Sequence, residues 1–358
     1  MKIAILGSGC VGLFVGAHLK LDDRHEVHFI GRSVLRRAEA SGSLRITDFK
    51  RPRKRLRFDV ETLNFHYDTD VLRDMDVIIV CLKLGENDHL LKGVDKDKTT
   101  LVFLQNGVSK FENTSFRQVQ GMIPYGVNEL ESGHFHKCTA GNLAFENTLP
   151  VEIVTSLRKS GLGVNLYSPS EFDAVKWFKL VVNLGNALNA VVGRPLASCL
   201  RDRKYRTLLR LVWSEGLNVC KSAKIRLIGD INGRSIEFVL RVLSLPDCAY
   251  NTIAKIMRTT DENYKSSMLT DLTLKRNTEI DELNNRIVRM GQKYGVKTPT
   301  NKLLVKLIKD AEQSKSGSPF KEPSELLLRL GHVDDEKSPI LVVIIFVIML
   351  ITIIYRSF

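Results

Sequence analysis

Cysteine is sparse and scattered in this chain. The six cysteines among 358 residues (Cys10, Cys81, Cys138, Cys199, Cys220 and Cys248) include no Cys-x-x-Cys pair and no Cys/His cluster. Such spacing excludes a disulfide-stapled scaffold, speaks against a structural zinc site and points to a reducing compartment. A targeting peptide is not expected, because the first strand-like run, Lys2–Leu6, begins at once and passes into glycines. Acidic residues are the minority: 40 Asp and Glu stand against 53 Lys and Arg, a net charge of +13. That balance favours anionic partners. What remains is ordinary globular composition, 44% hydrophobic and 26% charged, in a length that suits two domains.

Much of the positive excess is local. Arg45, Lys50, Arg51, Arg53, Lys54, Arg55 and Arg57 crowd one stretch relieved by Asp48. Alone this reads as a solvated basic loop or hairpin. No nucleic-acid motif accompanies it, and aromatic residues are not interleaved as a base-stacking surface requires, so no nucleic-acid partner is assigned. The other departure is at the far end, where residues 340–355 carry no charge at all. Sixteen helical residues span about 24 Å, slightly short of the ~30 Å hydrocarbon core. The expectation is a single-pass C-terminal transmembrane helix, 339–355, joined by a linker at 331–338. It would leave the preceding chain facing the cytosol, at the endoplasmic reticulum or the mitochondrial outer membrane. A buried terminal element of the folded domain is the alternative.

Residues 1–168 alternate strand and helix. Strand-like runs at 2–6, 27–30, 77–81, 100–104 and 121–125 imply a mainly parallel, doubly wound α/β sheet with helices on both faces. Gly7-Ser8-Gly9-Cys10-Val11-Gly12 lies between the first strand and an apolar helical run. In that context each glycine has its own role. Gly7 makes the tight turn, Gly9 lets backbone meet a pyrophosphate, and Gly12 lets helix pack on strand. The helix N-terminus then faces the anion. An NAD site would place an acid at the end of the second strand. Here the chain reads Ile30-Gly31-Arg32-Ser33, with an arginine suited to a 2′-phosphate. NADP(H) is therefore the expected cofactor, with Arg36 and Arg37 adding positive field. Lys83 and Asn106 follow later strands, where loops enter the ligand crevice of such sheets; both could also be ordinary loop residues.

Residues 169–330 read as helical. In the apolar run 172–192, Lys179, Asn183 and Asn186 recur at i, i+4 and i+7 and form one narrow polar stripe. Either the stripe faces solvent or it lines a cleft whose polar ligand satisfies it. A lysine there is a candidate general acid, protonated at neutral pH. Farther on, Asn277 or Thr278 reads as an N-cap that would place Glu279 in a helix's first turn, where it would favour the dipole.

Taken together, Gly7 to Gly12, Cys81-Leu82-Lys83, Leu104-Gln105-Asn106-Gly107, Trp177-Phe178-Lys179-Leu180 with Asn183, Ser267-Met268-Leu269-Thr270-Asp271 and Thr278-Glu279-Ile280-Asp281 resemble the ketopantoate reductase family. The segment 295–301 resembles that family's closing stretch, so the likeness covers about residues 1–312. It implies a Rossmann-type N-terminal domain and an all-α C-terminal domain of the 6-phosphogluconate-dehydrogenase-like kind. It also implies NADPH-dependent reduction of 2-dehydropantoate to pantoate, towards pantothenate and coenzyme A. By the same resemblance Lys179 protonates the keto oxygen and Glu279 binds substrate hydroxyls and positions Lys179. Ser267, Asn183 and Asn186 hold substrate, and Lys83 and Asn106 lie at the nicotinamide. Three features depart from the family. Asn186 follows Asn183 by three residues where four is usual, the stretch 45–57 is unusually basic, and the C-terminal apolar run is an addition. Reduction of another 2-oxo acid, or a membrane-tethered NADPH-binding protein without catalysis whose basic loop lies on anionic lipid, stays open, as does oligomeric state, a homodimer included.

Overall fold

Ile3 and Ile5 point to one side of the first strand, Ala4 and Leu6 to the other, and all four are buried. A strand apolar on both faces needs cover above and below, which is the signature of a parallel sheet. The computed structural model describes residues 1–82, 88–105, 115–231, 233–257 and 261–332. The chain divides into two compact units, Met1–Leu180 and Val181–Phe358.

In the first unit the strands are β1 (Lys2–Leu6), β2 (Glu26–Ile30), β3 (Ser43–Asp48), β4 (Leu56–Asp59), β5 (Asn64–His66), β6 (Val77–Val80), β7 (Thr100–Leu104), β8 (Arg117–Met122), β9 (Val127–Glu131), β10 (His134–Lys137), β11 (Leu143–Glu146) and β12 (Val164–Tyr167). The helices are α1 (Cys10–Leu19), α2 (Ser33–Ala40) and α3 (Val151–Lys159). Eight strands form one sheet in the order β12-β11-β8-β7-β6-β1-β2-β5, parallel at every pairing except β8 with β11. The other four form a second sheet, β4-β3-β10-β9, which the alternation of the sequence did not anticipate. Its strands are short and apolar only at every second residue, so each carries too weak a signal alone. The basic stretch becomes the β3–β4 hairpin of this sheet. The strand expected at 121–125 begins earlier, at Arg117, because its polar residues pair with β7 from Thr100 onward.

Helix α1 is apolar nearly all round, and residues 12–19 are buried. The sheets explain why: the large one lies on one side, and β9 and β10 of the small one pack over the other. Leu44, Ile46, Val127 and Phe135 of the small sheet join the same core as Ile3, Ile5 and Phe29. On the opposite face, among the described residues, the cover comes from short 3-10 turns around Leu72 and Leu91 rather than from the α-helices expected there.

Helix α4 (Pro169–Asn183) carries the division between the units. The second unit continues with α5 (Gly185–Val192), α6 (Leu196–Arg201), α7 (Arg203–Ser222), α8 (Ile236–Leu243), α9 (Asp247–Met257), α10 (Ser267–Thr273), α11 (Asn284–Tyr294), α12 (Pro299–Ser314) and α13 (Pro323–Arg329). The apolar run 172–192 is thus two helices broken at Leu184, not one. Side chains insert at the break: Trp213 Nε1 donates to Val182 O at 3.1 Å and Asn284 Nδ2 to Leu184 O at 3.1 Å. Gly185 lets α7 come close, since a Cβ there would stand 2.8 Å from Leu209. Buried Glu215 ties α7 to α12 by accepting Thr300 N and Asn301 N at 2.8 and 2.9 Å. No described helix is long and apolar enough to cross a membrane, and the apolar run 340–355 lies outside the described residues.

Candidate active site

The glycine turn sits between β1 and α1 and is pinned to its neighbours by main-chain bonds. Gly7 N and Ser8 N both donate to Ile30 O, at 3.0 and 2.8 Å, and Gly9 N donates to Gly7 O at 2.8 Å. Each glycine answers to a different neighbour. Gly7 has φ +100°, and a Cβ on it would stand 2.8 Å from Leu82 N. On Gly12 a Cβ would come within 2.4 Å of Gly7 O and 3.0 Å of Ile5 Cγ2. On Gly9 it would meet nothing within 4 Å. Two glycines are therefore required by protein packing, while the third leaves an open approach to backbone. Gly9 is also the N-cap of α1 and supplies no side-chain cap, and no acid occupies the first turn. The amides of Cys10 and Val11 follow it at that helix end. This cradle fits a dinucleotide pyrophosphate.

Ser8 is buried, its hydroxyl donating to Ile5 O at 3.2 Å, so its side chain serves the turn. Burial, reinforced by the Glu129 carboxylate, pushes the Cys10 thiol up to about 11, which keeps it neutral and unreactive at physiological pH. Gly31 lies so close to Ser8 that a Cβ would stand 3.0 Å from the serine Cβ, which draws the β2–α2 turn against the cradle. The arginines there divide by role. Arg36 stacks over Tyr67 at 4.8 Å, and Arg37 is held by Glu129. Arg32, exposed at the N-cap of α2, has no ion-pair partner among the described residues. Lys83 and Asn106 lie outside the described residues. The segments leading to them are joined by a bond from Gln105 Nε2 to Leu82 O at 3.0 Å.

Still in the first unit, the Lys179 ammonium donates to Ile123 O, just beyond the end of β8. Lys179 is half-buried, neither solvent-facing nor sealed. One turn earlier on the same face Lys176 is 5% exposed and donates to Gln120 Oε1 at 2.6 Å. The polar stripe did not include Lys176, although its i, i+3 spacing from Lys179 in an apolar helix was the available signal.

In the second unit Asn183 and Asn186 flank the break at Leu184, both half-buried. Helix α10 packs on α5 there: Ser266 Oγ donates to Asn186 O at 3.2 Å, and Ser266 N donates to Asn189 Oδ1 at 3.0 Å. Ser266 is the buried N-cap of α10, and its hydroxyl accepts from Leu269 N. Ser267 beside it is exposed, one residue along the chain from the Ser266–Asn186 bond. Asn189, 1% exposed, is a structural pin between α5 and α10 that periodicity alone did not single out.

Glu279 is placed differently from the sequence expectation. Helix α11 starts at Asn284, so Glu279 lies in a turn before it and not in a helical first turn. Thr278 donates its amide and hydroxyl to Glu312 Oε1 at 2.7 Å, and its hydroxyl accepts from Ile280 N at 3.2 Å, so it caps this turn and not a helix. The Glu279 carbonyl closes the turn by accepting Glu282 N and Leu283 N at 3.2 Å. Five residues on, buried Asn284 reaches Leu184 O, which anchors this turn to the break beside Asn183. Glu279 is half-buried, and dipole stabilisation does not account for it.

The fold and the cradle define a dinucleotide-binding protein with a separate helical unit. The comparisons with known proteins narrow that class. Residues 3–149 match the family profile described as ketopantoate reductase PanE/ApbA, and residues 171–312 match ketopantoate reductase PanE/ApbA C terminal. The chain belongs to the ketopantoate reductase family and is an oxidoreductase acting on CH–OH groups. It is 25% identical over 325 residues to a 2-dehydropantoate 2-reductase of Archaeoglobus fulgidus, which covers 87% of this chain and 98% of that one. It is 23% identical to that of Bacillus subtilis, over 88% of this chain and 98% of the relative. Among solved structures it resembles a PanE/ApbA family ketopantoate reductase from Ralstonia eutropha, with TM-score 0.68, 23% identity and coverage of 88% and 99%. It also resembles D-mandelate dehydrogenase in a ternary structure with NADH and anilino(oxo)acetate, with TM-score 0.66, 22% identity and coverage of 88% and 99%.

Proposed function

We propose that the protein reduces ketopantoate to pantoate with NADPH, on the route to pantothenate and coenzyme A. The observation that carries the cofactor half is the cradle: open at Gly9, closed by packing at Gly7 and Gly12, with Arg32 at the end of β2 where NAD enzymes place an acid. Gly7 to Gly12 would hold the pyrophosphate and Arg32 the 2′-phosphate. The bound cofactor supplies the hydride. The chain's own residues do the rest. Lys179 presents an ammonium beyond the end of β8, where it donates a proton to the substrate's keto oxygen and stabilises the negative charge that develops there. Asn183, Asn186 and Ser267 offer amides and a hydroxyl for the substrate, and Glu279 accepts from its hydroxyl groups and positions Lys179. Lys83 and Asn106 are assigned to the nicotinamide end.

The same reading places the enzyme on a membrane through the uncharged run 340–355, with its catalytic part in the cytosol. It also takes the active species as a homodimer, in line with the dimeric ketopantoate reductase of Staphylococcus aureus that the chain resembles, with TM-score 0.62. Another 2-oxo acid is the second reading, favoured by the shortened Asn183-to-Asn186 spacing across the Leu184 break.

The test is NADPH oxidation by the full chain with ketopantoate beside a panel of 2-oxo acids, with NADH as control. Lys179→Ala should lower kcat by about 10²–10⁴ while NADPH still binds. Loss of cofactor binding in that variant would refute the acid role. Turnover only of other 2-oxo acids would move the substrate assignment to the second reading.

A further inference from the structure

The small sheet has one face in the core and one in water. Leu44, Ile46 and Phe135 turn inward onto α1, so Arg45, Thr47, His134 and His136 turn outward, as does Arg57 between partly buried Leu56 and Phe58. Register then sets one like-charged pair across two strands, Arg57 opposite Arg45; Arg45 in turn stands opposite His134, which burial holds towards its neutral form. The arginine pair weakens the sheet that carries this row. Glu131 binds Arg45 at 2.8 Å, but Arg57 has no ion-pair partner among the described residues.

The hairpin beyond the row extends it. Lys50, Arg51, Arg53, Lys54 and Arg55 are all exposed. Arg51 and Lys54 donate to Gly161 O and Ser160 O at 2.7 and 2.6 Å, just past the end of α3. These neutral acceptors steady the hairpin and leave its charge uncompensated. Lys50, Arg53 and Arg55 have no carboxylate partner among the described residues.

We propose that the outer face of this sheet, with its hairpin, docks on an anionic lipid bilayer. Charge complementarity supplies the attraction, and the outward residues of the row, Arg57, Arg45, Thr47, His134 and His136, include no aromatic ring of the Phe, Tyr or Trp kind on which bases could stack. The chain's uncharged apolar run at 340–355 is the second reason to choose a bilayer over a soluble polyanion. This inference goes beyond the reductase reading and does not depend on it.

The experiment floats the full chain with preformed phosphatidylcholine vesicles, with and without phosphatidylserine, at low and high salt. Partition onto the anionic vesicles should exceed that onto neutral ones by about a hundredfold or more and collapse at high salt. The variant R53Q/R55Q/R57Q should lose about fivefold per removed cation, roughly a hundredfold in all, with no loss of thermal stability and with unchanged NADPH oxidation. R53K/R55K/R57K, which keeps the charge, should bind as the wild type does. Equal partition onto neutral and anionic vesicles would overturn the proposal, as would a triple-glutamine variant that binds normally. Tighter, equally arginine-dependent binding to duplex DNA or single-stranded RNA would assign the face to nucleic acid instead.

Discussion

Gly9 and Gly12 are three residues apart in one turn, yet alanine should act on them through opposite channels. At Gly12 the new methyl would stand 2.4 Å from Gly7 O and 3.0 Å from Ile5 Cγ2. Neither neighbour yields easily, since one is backbone and Ile5 is fully buried. Overpacking of this kind costs about 1–3 kcal/mol. In a unit of this size that lowers Tm by roughly 3–10 °C. At Gly9 the methyl meets no protein atom within 4 Å, and φ −83° with ψ −165° is backbone that alanine adopts freely. Loss of a tolerable N-cap and gain from a stiffer unfolded chain, each about 0.5–1 kcal/mol, nearly cancel. The methyl instead occupies the space through which a pyrophosphate would reach the backbone. Loss of a hydrogen bond to a charged group, about 1.5–3 kcal/mol, corresponds to a ten- to hundredfold weaker Kd. Thermal melts without ligand, paired with NADPH fluorescence titrations, separate the two. Gly9→Ala with an unchanged Kd, or with a Tm loss as large as that of Gly12→Ala, would refute the cradle assignment.

Other substitutions test other parts of the same reading. Arg32→Ala should raise the Kd for NADPH ten- to hundredfold and leave NADH almost unchanged, and equal losses would remove the 2′-phosphate role. Asn284→Ala strips the partner from Leu184 O and from Asn301 Oδ1 in a fully buried place, so it should cost about 2–4 kcal/mol, read as a Tm loss of roughly 5–15 °C. A Tm within a degree of wild type would show that the break does not need this clamp. Burial holds His18 down to about 4, from its ordinary 6.5, so between those values the unfolded chain binds the extra proton and stability falls as pH drops. His18→Gln should remove up to about 3 kcal/mol of that fall, measured by denaturant titrations from pH 7 to 4. His25, His28 and His134, which burial also holds down, contribute to the slope that remains. A wild-type slope in the variant would contradict the burial of a neutral ring.

Readability of the site followed the range of the interactions that build it. The glycine turn was legible because its demands are local: strand, turn and helix start lie within Lys2 to Leu19, and the structure adds only which atom each glycine avoids. The partners of Arg36 and Arg37 were not legible, because Tyr67 and Glu129 lie far along the chain. Lys179, Asn183 and Asn186 were visible as a stripe by period alone, but the break between them was not. Glu279 was misread for the same reason: Thr278 has the chemistry of a cap and does accept from Ile280 N, but it closes a turn held by Glu312 from far along the chain, and the helix starts only at Asn284.

By itself, then, the sequence determined the family, the parallel-sheet core and the polar residues that share one stripe along a helix, since motif and periodicity are properties of neighbouring residues. The tertiary structure decided what those residues can do. It set the basic hairpin at one edge of a second sheet, interrupted an apolar helix at Leu184 where Trp213 and Asn284 insert, and set Glu279 in a turn. Each outcome depends on a hydrogen bond or packing contact between segments distant in the chain, and the free energy of such a contact exists only once both partners have been brought together.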